Sequence, residues 1–142
     1  MSEGAIVSLE LNKAVVRQLV DDVQSGGDFA VFDELMDPAF VDHTPSPGFP
    51  PTRDGARQLY QVFRTAFPDL QATIDFQTGE ADLVTTRKTY TATQKGEFLG
   101  IAATGRRVEF DVIDVLRVRA GRITDHWGVM NIASLMQQLA AG

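Results

Sequence analysis

The sequence predicts a single α+β domain over residues 1–142, in which one curved sheet wraps around N-terminal helices and leaves a pocket between them. Three observations predict it. Apolar residues recur at helical spacing through the first half, and Val/Ile/Thr-rich segments fill the second. The 142 residues are the length of one domain with one core.

In order along the chain, Val16, Leu19, Val20 and Val23 follow the i, i+3, i+4, i+7 spacing of one buried helical stripe, and Gly26-Gly27 stop that helix. A shorter helix is expected over Phe29–Met36, burying Phe29, Phe32 and Leu35. Asp37–Thr52 carries Pro38, Pro45, Pro47, Pro50 and Pro51 and reads as an ordered loop or lid with no regular element. Thr52 is the expected N-cap of a third helix, which carries Ala56, Leu59, Phe63 and Phe67 and ends at Pro68. Leu70–Gln77, Leu83–Thr93, Arg107–Arg119 and Arg122–Asn131 have strand composition. Gly96–Gly105 reads as a loop between strands, and Ala120-Gly121 as a tight hairpin turn. A last helix is expected over Ile132–Leu139, from the spacing of Ile132, Leu135, Met136 and Leu139.

Composition excludes several function classes. Apolar residues make up 44% and charged residues 23%, the balance of a folded chain rather than a disordered one. The absence of cysteine excludes a disulfide framework, a thiolate nucleophile and a cysteine-ligated metal site. Thirteen Lys+Arg against nineteen Asp+Glu give a net charge of −6, and no basic run exceeds Arg106-Arg107. Nucleic acid and anionic membranes are therefore not expected partners, since both need clustered positive charge. The opening MSEGAIVSLELNK lacks the basic start and apolar core of a secretory signal. No stretch approaches the ~20 apolar residues of a membrane span, and a cytoplasmic location is expected. His43 and His126 are too few for a histidine-rich metal site, and no Walker loop, GxGxxG, HExxH or GxSxG motif occurs. No metal or cofactor is expected.

Strand parity supplies the candidate site. Phe110, Val112, Asp114, Leu116 and Val118 share one face, which places the Asp114 carboxylate on an apolar interior stripe. A two-residue turn at Ala120-Gly121 sets 119 opposite 122, hence 114 opposite 127 and 110 opposite 131. That register adds Trp127, Val129 and Asn131 to the interior and turns His126 outward, unless a bulge shifts it. A lone carboxylate against apolar walls loses solvation, which raises its pKa and suits it to general acid/base work. The alternative is a buried Asp114 paired with Arg87 or His43. His43 could reach over the pocket mouth as a proton donor or orienting group, or bond a local carbonyl. Tyr90 and Trp127 could wall the pocket, or be ordinary core aromatics. Asn131 could bond a ligand carbonyl or cap the last helix, and Arg87 could bind an acidic group or neutralise Asp114.

Phe67-Pro68-Asp69-Leu70, the run Gly96–Val108 (GEFLGIAATGRRV), Gly121-Arg122-Ile123-Thr124-Asp125-His126-Trp127 and Asp42-His43 together resemble the SnoaL-like polyketide cyclase (ester cyclase) family over nearly the whole chain. The resemblance implies the cone-shaped α+β barrel of the nuclear-transport-factor-2-like and ketosteroid-isomerase-like superfamily, usually dimeric or tetrameric through the sheet. It implies closure of the last ring of an aromatic polyketide by an intramolecular aldol reaction, without metal or cofactor. An acid/base side chain removes an acidic C–H proton and the pocket stabilises the enolate. The catalytic aspartate of the characterised cyclases falls at Gly128 and their pocket histidine at Asp114. A histidine common in the broader family falls at Gln94, and an aspartate at Asn131.

The leading expectation is a cofactor-independent cyclase or isomerase on a small hydrophobic carbonyl compound. Asp114 is the expected base and His43 the proton donor or orienting group; Tyr90, Trp127, Arg87 and Asn131 contact the substrate. Epoxide-hydrolase-like activation of water by Asp114 with Arg87 is one alternative. A non-catalytic binding protein is another. The third is a domain that serves to associate, most simply as a homodimer, through an outer face of Ile113, Val115 and His126.

Overall fold

The computed structural model describes residues 3–141. Helix α1 (Glu3–Gln18) runs on into a π-helical stretch, Leu19–Ser25, which ends at Gly26. Leu19, Val20, Val23 and Gln24 are buried there, so the predicted apolar stripe continues through the wider turn with one polar residue added. Asp28 caps α2 (Phe29–Leu35) by accepting from the backbone N–H groups of Ala30 and Val31. Thr52 caps α3 (Arg53–Ala66) through the N–H of Gly55, and Asn131 caps α4 (Ile132–Ala140) through the N–H of Ser134. The cap at Thr52 was expected, and for Asn131 capping was one of the two alternatives.

Met36–Asp42 is strand β1, where the proline count had suggested an irregular loop. Only Pro38 of the five prolines lies in it, and β1 is an edge strand whose pairing is irregular between Met36 and Val41. An edge strand with a bulge tolerates a residue that cannot donate to the ladder. The irregular segment is therefore limited to residues 43–52. The remaining strands, β2 (Gln71–Glu80), β3 (Leu83–Thr93), β4 (Arg107–Arg119) and β5 (Arg122–Met130), form an antiparallel meander. The sheet order is β1-β5-β4-β3-β2, with β1 parallel to β5, so the sheet is mixed rather than wholly antiparallel. It is open, and its concave face packs on the helices through Val16, Leu19, Phe32, Phe63, Phe67, Val84, Phe110 and Leu116. This is the α+β cone.

Two connections shape the site. The segment between β3 and β4 folds back on itself at Phe98 and Ile101 and is stapled by Gln94. Gln94 is fully buried, donates to the Ile101 carbonyl and accepts from the backbone and hydroxyl of Thr104. Between β4 and β5, Ala120 and Gly121 both have positive φ, 51° and 77°. This is the backbone a two-residue hairpin turn requires. Arg119 faces Arg122 as expected, and Val118 faces Ile123. Arg117 then faces Asp125, leaving Thr124 as an extra residue in β5.

Candidate active site

That one-residue bulge decides what the cavity contains. Beyond it Leu116 pairs with His126, Asp114 with Gly128 and Val112 with Met130. Those three residues of β4 face the interior, so His126, Gly128 and Met130 do too, while Trp127 and Val129 are turned to the outer face. Because side chains alternate along a strand, a slip of one residue exchanges the whole set.

His126 Nδ1 lies 2.9 Å from Asp42 Oδ1 at the end of β1. A carboxylate only accepts, so Nδ1 carries the proton and Nε2 presents a lone pair when the ring is neutral. Burial alone would raise the Asp42 carboxyl, but the His126 hydrogen bond and charge, with the Thr44 N–H, outweigh it and hold it below the usual carboxylate range. Among the described residues, Nε2 has no hydrogen-bond partner.

The ring fits because residue 128 is glycine. A Cβ built on Gly128 would lie 2.7 Å from His126 Nε2, 2.9 Å from its Cε1 and 3.1 Å from the Cβ of Asp114. His126 and Asp114 thus flank the space that a side chain at 128 would fill. Gly128→Ala is expected to push the imidazole off Asp42 while leaving the fold intact. A histidine-selective NMR spectrum checks this: the His126 ring signals should shift and broaden, whereas unchanged signals would refute the packing argument.

A second polar group of the cavity centres on Lys88. Lys88 Nζ donates to Asp114 Oδ2 at 2.7 Å and to Gln24 Oε1 at 3.1 Å. Both members of the ion pair are buried, Lys88 at 1% and Asp114 at 3% exposure. Burial penalises the ammonium, but the adjacent carboxylate outweighs that penalty and holds Lys88 above the ordinary lysine range, so it stays charged. Tyr90 Oη donates to Gln24 Oε1 and Gln24 Nε2 donates to Tyr60 Oη, each at 3.1 Å. Burial pushes both phenols up, so they remain neutral hydroxyls. These groups open on a cavity of about 120 Å³ whose other walls include Leu19, Met36, Phe40, Leu59, Val112, Leu116 and Met130. Among the described residues, no cluster of three His, Cys, Asp or Glu side chains is arranged to hold a metal ion. No helix among them is long and apolar enough to cross a membrane.

Of the residues expected from sequence to act on or contact the substrate, Asp114 and Tyr90 line this cavity, and His43, Arg87, Trp127 and Asn131 do not. Asp114 is ion-paired with Lys88 rather than lone. Arg87 has the opposite parity to Lys88 and donates to Asp75 at 2.6 Å on the outer face. It does not neutralise Asp114, so the Asp114–Arg87 pair expected for epoxide-hydrolase-like activation of water is not formed. His43 stacks on Trp127, with ring centroids 4.5 Å apart and planes 7° from parallel, and its Nε2 lies 2.8 Å from Asp125 Oδ2. Both rings belong to the outer face, with Arg117 over the Trp127 ring at 5.3 Å. Asn131 is exposed, caps α4 and donates to Asp111 at 3.1 Å. His126 does not join Ile113 and Val115 on the outer face. The residues missed were His126, which the unbulged register turned outward, and Asp42, Lys88, Gln24 and Tyr60. Lys88 shares the parity of Val84, Tyr90 and Ala92, and Gln24 follows Val20 by four residues on the buried stripe, so both could have been found.

No curated protein matches the sequence. Among solved structures, IdmH of Streptomyces antibioticus, a proposed polyketide cyclase, is 30% identical with a TM-score of 0.80, over 92% of this chain and 99% of that one. AclR of Streptomyces galilaeus, a proposed hydroxylase, is 30% identical with a TM-score of 0.83, over 92% and 82%. TsrD of Streptomyces laurentii is 25% identical with a TM-score of 0.81, over 100% and 99%. The family model of SnoaL-like polyketide cyclases matches residues 14–139. That span takes in every group of the cavity described above, and the chain belongs to the SnoaL-like polyketide cyclase family.

Proposed function

We propose that this protein is a cofactor-independent acid/base catalyst of cyclase type, acting on a small hydrophobic carbonyl compound, with His126 as the base. The observation that carries this is the His126 ring seated over Gly128, with Nδ1 held by Asp42 and Nε2 free toward the cavity. His126 Nε2 takes a proton from a carbon next to a carbonyl, and the C–H electron pair moves to the carbonyl oxygen as an enolate. Asp42 keeps the ring in the Nδ1–H form and steadies the imidazolium that results. The enolate carbon then attacks a second carbonyl of the same molecule, and the imidazolium returns its proton to the new alkoxide. The apolar walls exclude water, which strengthens every charge interaction inside.

This assignment moves the base from Asp114 to His126. Asp114 Oδ2 is taken up by the Lys88 ammonium at 2.7 Å, whereas His126 Nε2 has no hydrogen-bond partner among the described residues. His126 also fills the space where the family resemblance sets a catalytic carboxylate, at position 128.

Deuterium incorporation into a panel of 1,3-dicarbonyl compounds and cyclic ketones, followed by NMR in heavy water, tests the reading. Exchange above the buffer rate for at least one compound is expected. Saturable binding across the panel with no exchange would instead favour a non-catalytic binding protein.

A further inference from the structure

The network around Lys88 leaves one hydroxyl hydrogen and one carboxylate oxygen unmatched, and both residues line the cavity. An ammonium can only donate, so the Gln24 atom facing Lys88 is the carbonyl oxygen Oε1, 3.1 Å away. That orientation turns Gln24 Nε2 toward Tyr60 Oη at 3.1 Å. An amide NH₂ donates, so the Tyr60 oxygen accepts. Tyr90 uses its own hydrogen on Gln24 Oε1. The hydroxyl hydrogen of Tyr60 is therefore left without an acceptor among the described residues. Across the network, Asp114 Oδ2 receives Lys88, while Asp114 Oδ1 is buried with no hydrogen-bond partner.

Roughly nine in ten buried polar atoms are paired. A spare donor and a spare acceptor, carried by two residues that line one cavity, are complementary to a ligand that brings one of each. We propose that the cavity selects hydroxy-carbonyl compounds: Tyr60 O–H donates to the ligand's carbonyl oxygen, and Asp114 Oδ1 accepts from its hydroxyl or enol O–H. Asp114 is then a binding residue, and proton abstraction stays with His126. The inference rests on the carbonyl-compound reading and narrows it to substrates carrying both groups. The enol form of a 1,3-dicarbonyl satisfies the same pattern.

The test is calorimetric binding of the three ring isomers of hydroxyacetophenone to the intact protein. Each isomer is compared with the methoxyacetophenone that lacks the O–H and the ethylphenol that lacks the carbonyl. At least one isomer should bind on the order of tenfold or more tightly than both its analogues, the worth of a hydrogen bond whose loss leaves a buried partner unpaired. In Tyr60→Phe, which keeps the ring and removes the spare hydrogen, the advantage of ketone over ethylphenol should fall to about twofold or less. The advantage of hydroxyl over methoxy should persist. Equal affinities within every set, no binding by any compound, or an undiminished ketone advantage in Tyr60→Phe would each overturn the proposal. Binding preference is read without turnover. A preference without isotope exchange would uphold this assignment and remove the acid/base reading, and exchange without preference would do the reverse.

Discussion

Replacing His126 with alanine is expected to lower the rate of C–H exchange by roughly 10²–10⁴-fold, the usual contribution of a positioned general base. The fold should survive, because His126 is only half-buried and its ring's one hydrogen bond among the described residues is to Asp42 at the end of an edge strand. Asp42 retains the backbone N–H of Thr44 at 3.0 Å when the ring is removed. Circular dichroism and the unfolding midpoint should therefore stay near wild type while exchange collapses. Asp42→Asn should give a smaller loss of exchange. An amide can hydrogen-bond to the ring either as donor or as acceptor, so it no longer enforces the Nδ1–H form, although the ring keeps its seat over Gly128. An alanine variant that exchanges protons as fast as wild type would remove His126 from the mechanism.

Replacing Lys88 with methionine is expected to cost about 3–5 kcal/mol of stability, because it strands the Asp114 carboxylate in a nearly dry interior. The pair is 2.7 Å apart and almost fully buried on both sides. The ion pair itself is not the source of that large number. Taking two charges out of water offsets most of their attraction, so removing both costs far less than removing one. The double variant Lys88→Met/Asp114→Leu should accordingly regain most of the lost stability. Urea unfolding of the single and double variants measures this directly. A single variant within about 1 kcal/mol of wild type would mean that solvent reaches Asp114.

The reach of the sequence varied from element to element for physical reasons. Strand β4 was legible because thirteen residues alternate without interruption, and burial follows that alternation through Val108, Phe110, Val112, Asp114, Leu116 and Val118. The helix caps at Thr52 and Asn131 were legible because capping is local chemistry between a side chain and the first N–H groups of its own helix. Strand β5 carried the same kind of local pattern, yet the extra residue at Thr124 reversed every facing beyond it. Nothing in Ile123-Thr124-Asp125 distinguishes a bulged strand from a regular one, since a bulge is a property of the pairing. This one reversal exchanged His126 for Trp127 and carried His43 outward with its stacking partner.

Strand β1 was obscured by Pro38, whose cost disappears at a sheet edge, a position that local sequence does not reveal. The Asp42–His126 dyad spans 84 residues and needs β1 beside β5, so it depends on a parallel pairing that no hairpin signal announces. Lys88 and Gln24 are different. A lysine on an apolar strand face and a glutamine on an apolar helical stripe are buried polar groups in waiting. A polar group on a buried face requires a partner, so each carries a signal that strand and helix parity alone could have exposed.

In the proposed mechanism the proton is taken by His126 and not by Asp114. NMR-detected deuterium exchange, run side by side on His126→Ala and Asp114→Asn with the most reactive compound of the dicarbonyl panel at saturating concentration, tests it most directly. Saturation removes the effect of weakened binding, so the comparison reads the chemical step. The dyad predicts that the alanine variant loses at least about tenfold more activity than the asparagine variant. The reverse order, with exchange abolished in Asp114→Asn and surviving in His126→Ala, would place the base on Asp114 and refute the role of His126.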